Sequence, residues 1–121
     1  MTTQQVADRY YQLGQENKWS VIVDELYSQD IINREPAHAA AMGIPTLTTG
    51  LDAVKAKSAA RREMIETLHS QYCSAPVAGG TFFSVAMGRD ITFKGRPRMN
   101  LEEIAVFEVK DGMIVSEQFF Y

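Results

Sequence analysis

Apolar positions follow two different periods along the chain. From Thr3 to Gln15, Val6, Tyr10 and Leu13 recur at i, i+4 and i+7, the stripe of an amphipathic helix, and the stretch from Gly14 to Asn17 breaks it. Trp19, Ile22, Val23 and Leu26 repeat that spacing in a second helix, with Asp24 and Glu25 on its wet side and Tyr27-Ser28-Gln29-Asp30 closing it. Ile31 to Arg34 predicts one brief strand, stopped by Glu35-Pro36. The residue before a proline is pushed toward extended geometry, and proline cannot donate to a ladder. Pro36 to Thr48 has no clean period and exceeds the usual ~4–6 residues of a connection, the profile of a lid. Thr49-Gly50-Leu51-Asp52 then reads as a capping box opening a long helix. Leu51, Val54, Ser58, Arg61, Ile65 and Leu68 hold its three-and-four spacing, and Lys55, Lys57, Arg62, Glu63 and Glu66 form a solvated charged face.

After about His69 the period becomes that of strands, each bounded by turn residues: Leu68–Ala75, Thr81–Phe93, Met99–Val109 and Met113–Tyr121. A block of helices followed by a block of strands predicts a single α+β domain over 1–121 with a mostly antiparallel sheet, not the alternating βαβ of a nucleotide fold. The late strands are apolar on both faces. Helices cover only one, so Phe82, Ile104, Val106, Ile114 and Phe120 are expected on a face too apolar for a monomer, which predicts a homodimer through the sheet.

Length and composition narrow the function classes. The 121 residues, 45% hydrophobic and 22% charged, suit one soluble globular domain. Twelve Lys and Arg against fifteen Asp and Glu give a net charge of −3, so no overall positive field is available to gather nucleic acid. A single cysteine and two histidines make neither an internal disulfide nor a zinc site without carboxylates, and the expectation is no metal and no cofactor. No stretch approaches the ~20 apolar residues of a membrane span, and the N-terminus has no leader pattern, so a cytoplasmic protein is expected.

The familiar catalytic signatures are missing: no G-x-S-x-G, no P-loop, no G-x-G-x-x-G, no H-E-x-x-H and no C-x-x-C. Cys73 reads as a small buried packer, His38 and His69 as surface or interface histidines, and Lys94, Arg96 and Arg98 as a charged turn. The carboxylates carry more. Glu103 and Glu117 lie on late strands, and their relation depends on one hairpin. A three-residue loop, Lys110-Asp111-Gly112, sets Ala105 opposite Glu117 and puts both glutamates on one face; a two-residue loop, Asp111-Gly112, turns Glu117 away. The first geometry is favoured. Two close carboxylates in an apolar cavity cannot both ionise cheaply, so one would rise toward the range useful for acid–base work unless Arg89 compensates. An internal network of Arg and Glu is the competing reading.

The order of elements, with Leu26-Tyr27-Ser28-Gln29-Asp30, Gly50-Leu51-Asp52-Ala53-Val54 and Glu103 to Val115, resembles the SnoaL-like branch of the nuclear transport factor 2-like superfamily over almost the whole chain. The resemblance implies a cone: three helices packed on a strongly bent sheet that wraps the long helix around a cavity, commonly as a dimer. It also implies relatives such as ketosteroid isomerase, polyketide cyclases and limonene epoxide hydrolase, from which no reaction follows by fold alone. By analogy with ketosteroid isomerase, Tyr10 matches the oxyanion-donating tyrosine and Glu35 the general base, while Ala105 stands where that enzyme has a second donor. By analogy with the cyclases, Phe119 replaces the catalytic acid and Glu117 the histidine.

The expected site is a mainly apolar pocket for a small hydrophobic ligand. Its walls are Tyr10, Trp19, Leu26, Val54, Met87, Phe107, Phe119 and Tyr121, with Tyr27 and Tyr72 as hydrogen-bonding walls. Glu35, Glu103 or Glu117 would move a proton beside a carbonyl, and Tyr10 or Arg89 would stabilise the oxyanion, as in a cofactor-independent isomerase, cyclase or lyase. The alternative is a noncatalytic binding or dimerisation module, with the glutamates paired and the cavity filled by aromatic rings.

Overall fold

The computed structural model describes all 121 residues. Helix α1 (Thr3–Gln15) opens on a capping box: the Thr2 hydroxyl accepts from the Gln5 backbone, and the Gln5 side chain accepts from the Thr2 N–H. Its stripe of Val6, Ala7, Tyr10 and Leu13 is buried, and Asn17, at φ +57°, helps turn the chain into α2 (Trp19–Leu26).

The segment expected to close α2 is instead the start of strand β1 (Tyr27–Arg34). This strand pairs in parallel with the last strand of the chain, β7 (Met113–Phe120), with Tyr27 opposite Ile114 and Asn33 opposite Glu117. A long-range partner decides the conformation there, and no local period could announce it. The expected lid contains a 3-10 turn (Ala37–Met42) and a short strand β2 (Leu47–Thr49), antiparallel to β1. Thr49 pairs with Ile32 in that ladder, so the expected capping box does not form. Helix α3 (Leu51–Glu63) is capped by Gly50, at φ +89°, with no side-chain hydrogen bond.

Helix α3 also ends earlier than its spacing suggests. Ile65 and Leu68 belong to β3 (Ile65–Cys73), whose partner is β5 (Phe82–Phe93). Past Val54 the sheet-facing stripe of α3 carries Lys57, Ser58 and Arg61, so no apolar burial extends the helix while β5 offers open ladder bonds. Strand β4 (Val77–Gly79) also pairs with β5, and β6 (Met99–Lys110) completes a seven-stranded sheet ordered β2-β1-β7-β6-β5-β3. All its pairings are antiparallel except β1 with β7. Three helices pack on one face of this curved, open sheet, and an 18-residue core fills the space between. No helix is long and apolar enough to cross a membrane.

The β6–β7 hairpin reaches the expected outcome by another route. Lys110 pairs with Met113, so the loop is the two-residue Asp111-Gly112, both at positive φ (+52° and +74°). A bulge then shifts the register: Val109 faces Ile114, but Glu108 faces Ser116. The extra residue restores the parity that the short loop removes, and Glu117 sits opposite the buried Phe107, on the inner face. The same shift corrects the expectation for Ile114, which is fully buried in the core and absent from the outer face. Phe82, Ile104 and Phe120 do lie on that outer face, 47%, 46% and 50% exposed.

Candidate functional site

Where β1 and β7 run side by side beneath α3, the inner face turns polar. Glu117, 4% exposed, accepts hydrogen bonds from the Tyr27 hydroxyl on one oxygen and from Asn33 Nδ2 at 2.9 Å on the other. Burial pushes its carboxyl above the usual range, and the Tyr27 and Asn33 donors pull part of that back. Tyr27 is pushed well above an ordinary phenol, first by burial and then by the Glu117 charge, so it stays a donor. Lys57 Nζ donates to Asn33 Oδ1 and, at 3.1 Å, to Glu35 Oε1. The Tyr121 hydroxyl closes the chain by donating to Glu35 Oε2 at 3.1 Å, and His38 stands edge-on to the Tyr121 ring at 5.4 Å. Tyr121 is pushed up to about 12 by burial and by Glu35.

Further along the inner face, Glu103 is half-buried on β6 and makes neither a hydrogen bond nor an ion pair. Burial raises its pKa, and the charges of Arg61 and Arg89 oppose that rise. Arg89 of β5 is its diagonal neighbour, since Met87 faces Glu103 and Arg89 faces Leu101. The guanidinium of Arg89 lies over the Trp19 ring, 6.0 Å from its centroid. Burial and the nearby Arg61 lower its pKa.

The two late-strand glutamates share a face without touching. Glu103 is four residues along β6 from Phe107, the partner of Glu117, a distance of roughly 13 Å at the rise of a strand. Each is therefore raised by its own desolvation, with Glu35 the carboxylate that adds to both. The expected mutual repulsion is absent.

Of the expected apolar walls, Tyr10, Leu26, Val54, Met87 and Phe107 are core residues packed on one another, with Trp19 and Phe119 against them. Tyr10 meets Trp19, Phe83 and Phe107 at centroid distances of 6.1, 5.7 and 4.7 Å, and its hydroxyl reaches Met87 Sδ at 3.8 Å. This packing separates Tyr10 from Glu35, whose partners are Lys57 and Tyr121. Tyr72 lies apart from both groups. It is on the outer face, 52% exposed, with its ring across Gly88. Cys73 is buried and its thiol is pushed up to about 11, the behaviour of a packer. No group of three His, Cys, Asp or Glu side chains is placed to hold a metal ion.

Residues 1–121 match the model of a SnoaL-like domain from end to end. The chain belongs to that family. Its fold is that of a candidate SnoaL-like polyketide cyclase from Mesorhizobium loti, 24% identical over the whole of both chains with a TM-score of 0.92. A nuclear transport factor 2-like protein of unknown function from Burkholderia pseudomallei is 15% identical over 98% of this chain and 89% of that one, with a TM-score of 0.79. A protein of ketosteroid isomerase-like fold from Catenulispora acidiphila, crystallised with trimethylamine, is 18% identical over 83% and 72%, with a TM-score of 0.66. No curated protein matches the sequence.

Within this SnoaL-like domain, two polar side chains at the site escape a reading of the sequence alone. Asn33 is a strand residue like any other until β1 is laid beside β7. Lys57, expected on the solvated charged face of α3, falls three residues after Val54 on the sheet-facing stripe, and its flexible stem carries the ammonium to Asn33 and Glu35. Arg61 does carry a signal. It sits four residues after Lys57 and seven after Val54, so a cation falls on the helix stripe that should be apolar.

Proposed function

We propose that this SnoaL-like protein is a cofactor-independent acid–base catalyst acting on a small, largely apolar carbonyl compound, with Glu103 as the proton-transfer group. The observation that supports this is the contrast among the three glutamates. Glu117 is committed to Tyr27 and Asn33, and Glu35 to Lys57 and Tyr121, whereas Glu103 is half-buried, raised in pKa and free of protein partners. A carboxylate so desolvated is a stronger base than one in water, and Glu103 keeps part of its surface exposed. It removes a proton from the carbon next to the carbonyl, the C–H electron pair moves to form the enolate, and the same carboxyl returns the proton to the reacting carbon. Arg89, the diagonal neighbour of Glu103 in the sheet, would stabilise the enolate oxygen. Tyr10 is directed onto Met87 and takes no part.

Hydrogen–deuterium exchange at the α-carbon of 2-tetralone and of phenylpyruvate in D2O, followed by NMR, tests this reading. The protein should accelerate exchange on at least one of them, and Glu103→Gln should lose about 100-fold of that acceleration. No acceleration, or an unchanged rate in the variant, refutes it.

A second reading draws on the filled interior: the core cluster that packs Tyr10, Phe83 and Phe107 suits a noncatalytic binding module whose ligand sits outside that packed interior. Under either reading the protein works as a homodimer joined through the outer sheet face, where Phe82, Ile104 and Phe120 are exposed. A single buried cysteine suits a reducing compartment such as the cytoplasm.

A further inference from the structure

We propose that the cleft between α2 and α3 binds a phosphate monoester, with Arg62 on the phosphate and Trp19 and Val23 against its organic part. Glu103 does not line this cleft, and the site stands independently of the proton-transfer reading.

The cleft encloses about 180 Å³ between the two helices. A cavity of that order admits one benzene ring, so the occupant is small. Its apolar surface comes from Trp19 and Val23, both of which also pack against the core. Its one carboxylate, Asp24, is neutralised by Lys55 at 2.8 Å, and that pair ties the two helices together. Arg62, about two turns beyond Lys55 on α3, lines the same cleft. Arg9, Lys18, Lys55, Lys57 and Arg98 each hold a carboxylate, whereas Arg62 pairs with none and donates to no acceptor in the chain. The cleft is therefore left with one positive charge that the fold does not compensate.

Neutral donors share the cleft with that charge. Ser20 and Ser58 line it with hydroxyls that bond to nothing in the chain, where only Ser28 and Ser74 use theirs. Helix α2 starts at Trp19, in the cleft wall, with no side-chain cap and no acidic residue in its first turn, so its first amides keep their partial positive charge. The indole N–H of Trp19 is the one buried side-chain polar atom in the protein that lacks a hydrogen-bond partner. Unused donors from both helices, together with a net positive charge, call for a group that is anionic and all acceptor. A phosphate monoester offers three strong acceptor oxygens, more than a carboxylate does, and suits both an arginine and a helix start.

Trp19 is the only tryptophan and reports on the cleft it lines. The intact protein is titrated with phenyl phosphate, inorganic phosphate and benzoate at constant ionic strength. Binding is read from Trp19 fluorescence and from its indole N–H resonance. Phenyl phosphate should shift both signals saturably at millimolar concentration. It should bind more tightly than inorganic phosphate, which lacks the ring, and than benzoate, which has fewer acceptor oxygens. Arg62→Gln should weaken phenyl phosphate about tenfold and Ser58→Ala about threefold, with Arg62→Lys losing less than Arg62→Gln. Arg62 is exposed and unpaired, so these losses come without a change in fold. Arg98→Gln makes the same change in net charge outside the cleft, where it removes a pair with Asp90, and should bind as the wild type does. Three silent titrations, benzoate as tight as phenyl phosphate, or equal losses in Arg62→Gln and Arg98→Gln would each overturn the site. The readout is binding at this cleft, so failure of proton exchange on a ketone leaves the result independent.

Discussion

Glu117 shows how much one buried carboxylate can organise. Two donors from β1 meet its two oxygens, and removing the acceptor leaves both of them in a place that water does not reach. Glu117→Ala should therefore cost about 2–4 kcal/mol, the penalty for two unsatisfied buried polar groups. Tyr27→Phe should cost less, and it should move the Glu117 pKa further up, because the lost hydrogen bond favours the ionised form. Side-chain carboxyl resonances followed through a pH titration check the direction. The sign of the pH dependence follows from the same shifts. Glu103 and Glu117 hold their protons more tightly folded than unfolded, so their contribution is fully present below about 4.3, the ordinary glutamate value, and is lost as pH rises through the raised folded values. Urea unfolding of the wild type and Glu117→Gln at neutral and mildly acidic pH should show the wild type gaining on the variant as pH falls. A gap that widens in the variant's favour on acidification would contradict the assignment.

At the scale of the element, the β6–β7 hairpin places Glu117. Asp111 and Gly112 take the left-handed turn that two-residue hairpins prefer, and the bulge before Ser116 then decides which face Glu117 meets. A side chain at Gly112 meets two obstacles: φ is +74°, and its Cβ would stand 2.9 Å from the Met1 nitrogen. Gly112→Ala should lose about 1–2 kcal/mol in urea unfolding, the cost of a non-glycine residue in the left-handed region. A variant as stable as the wild type would mean that the turn relaxes elsewhere. This hairpin also marks where sequence reading stops. Asp111-Gly112 announces a turn, and alternation announces the strands, but a bulge has no local signature, so the correct face for Glu117 is reached from the wrong loop length. Helices α1 and α2 are legible because burial of one stripe decides them, and Val6, Tyr10, Leu13, Ile22 and Leu26 do disappear into the core. Tyr27 to Asp30, Leu47 to Thr49 and Ile65 to Leu68 are illegible for one reason: each becomes a strand only because a distant strand edge is waiting for it. The site inherits that limit. Glu103 and Glu117 stand out as carboxylates on apolar strands, whereas Asn33 and Lys57 acquire their roles from the β1–β7 pairing alone.

In the molecule as a whole, helices shield one face of the sheet and leave the other to water. Ile104 lies at the centre of that bare face, paired with Ala86 on β5 and Phe120 on β7, while Phe82 sits further along β5. Each of these large side chains is about half exposed, and a row of them across adjacent strands is more apolar surface than an isolated domain usually presents. A two-fold partner meeting the same face would bury the row against itself, the self-complementary contact that cyclic dimers use. Placing a charge at the centre tests this without touching the core, since Ile104 points away from it. Ile104→Glu should sediment as a monomer where the wild type sediments as a dimer, with the helical and strand signals in circular dichroism unchanged. The inner face should be unaffected: a monomeric variant that still accelerates α-carbon exchange would place the outer face in assembly and the inner-face glutamates in chemistry. A wild type that sediments as a monomer at tens of micromolar would remove the dimer from this account.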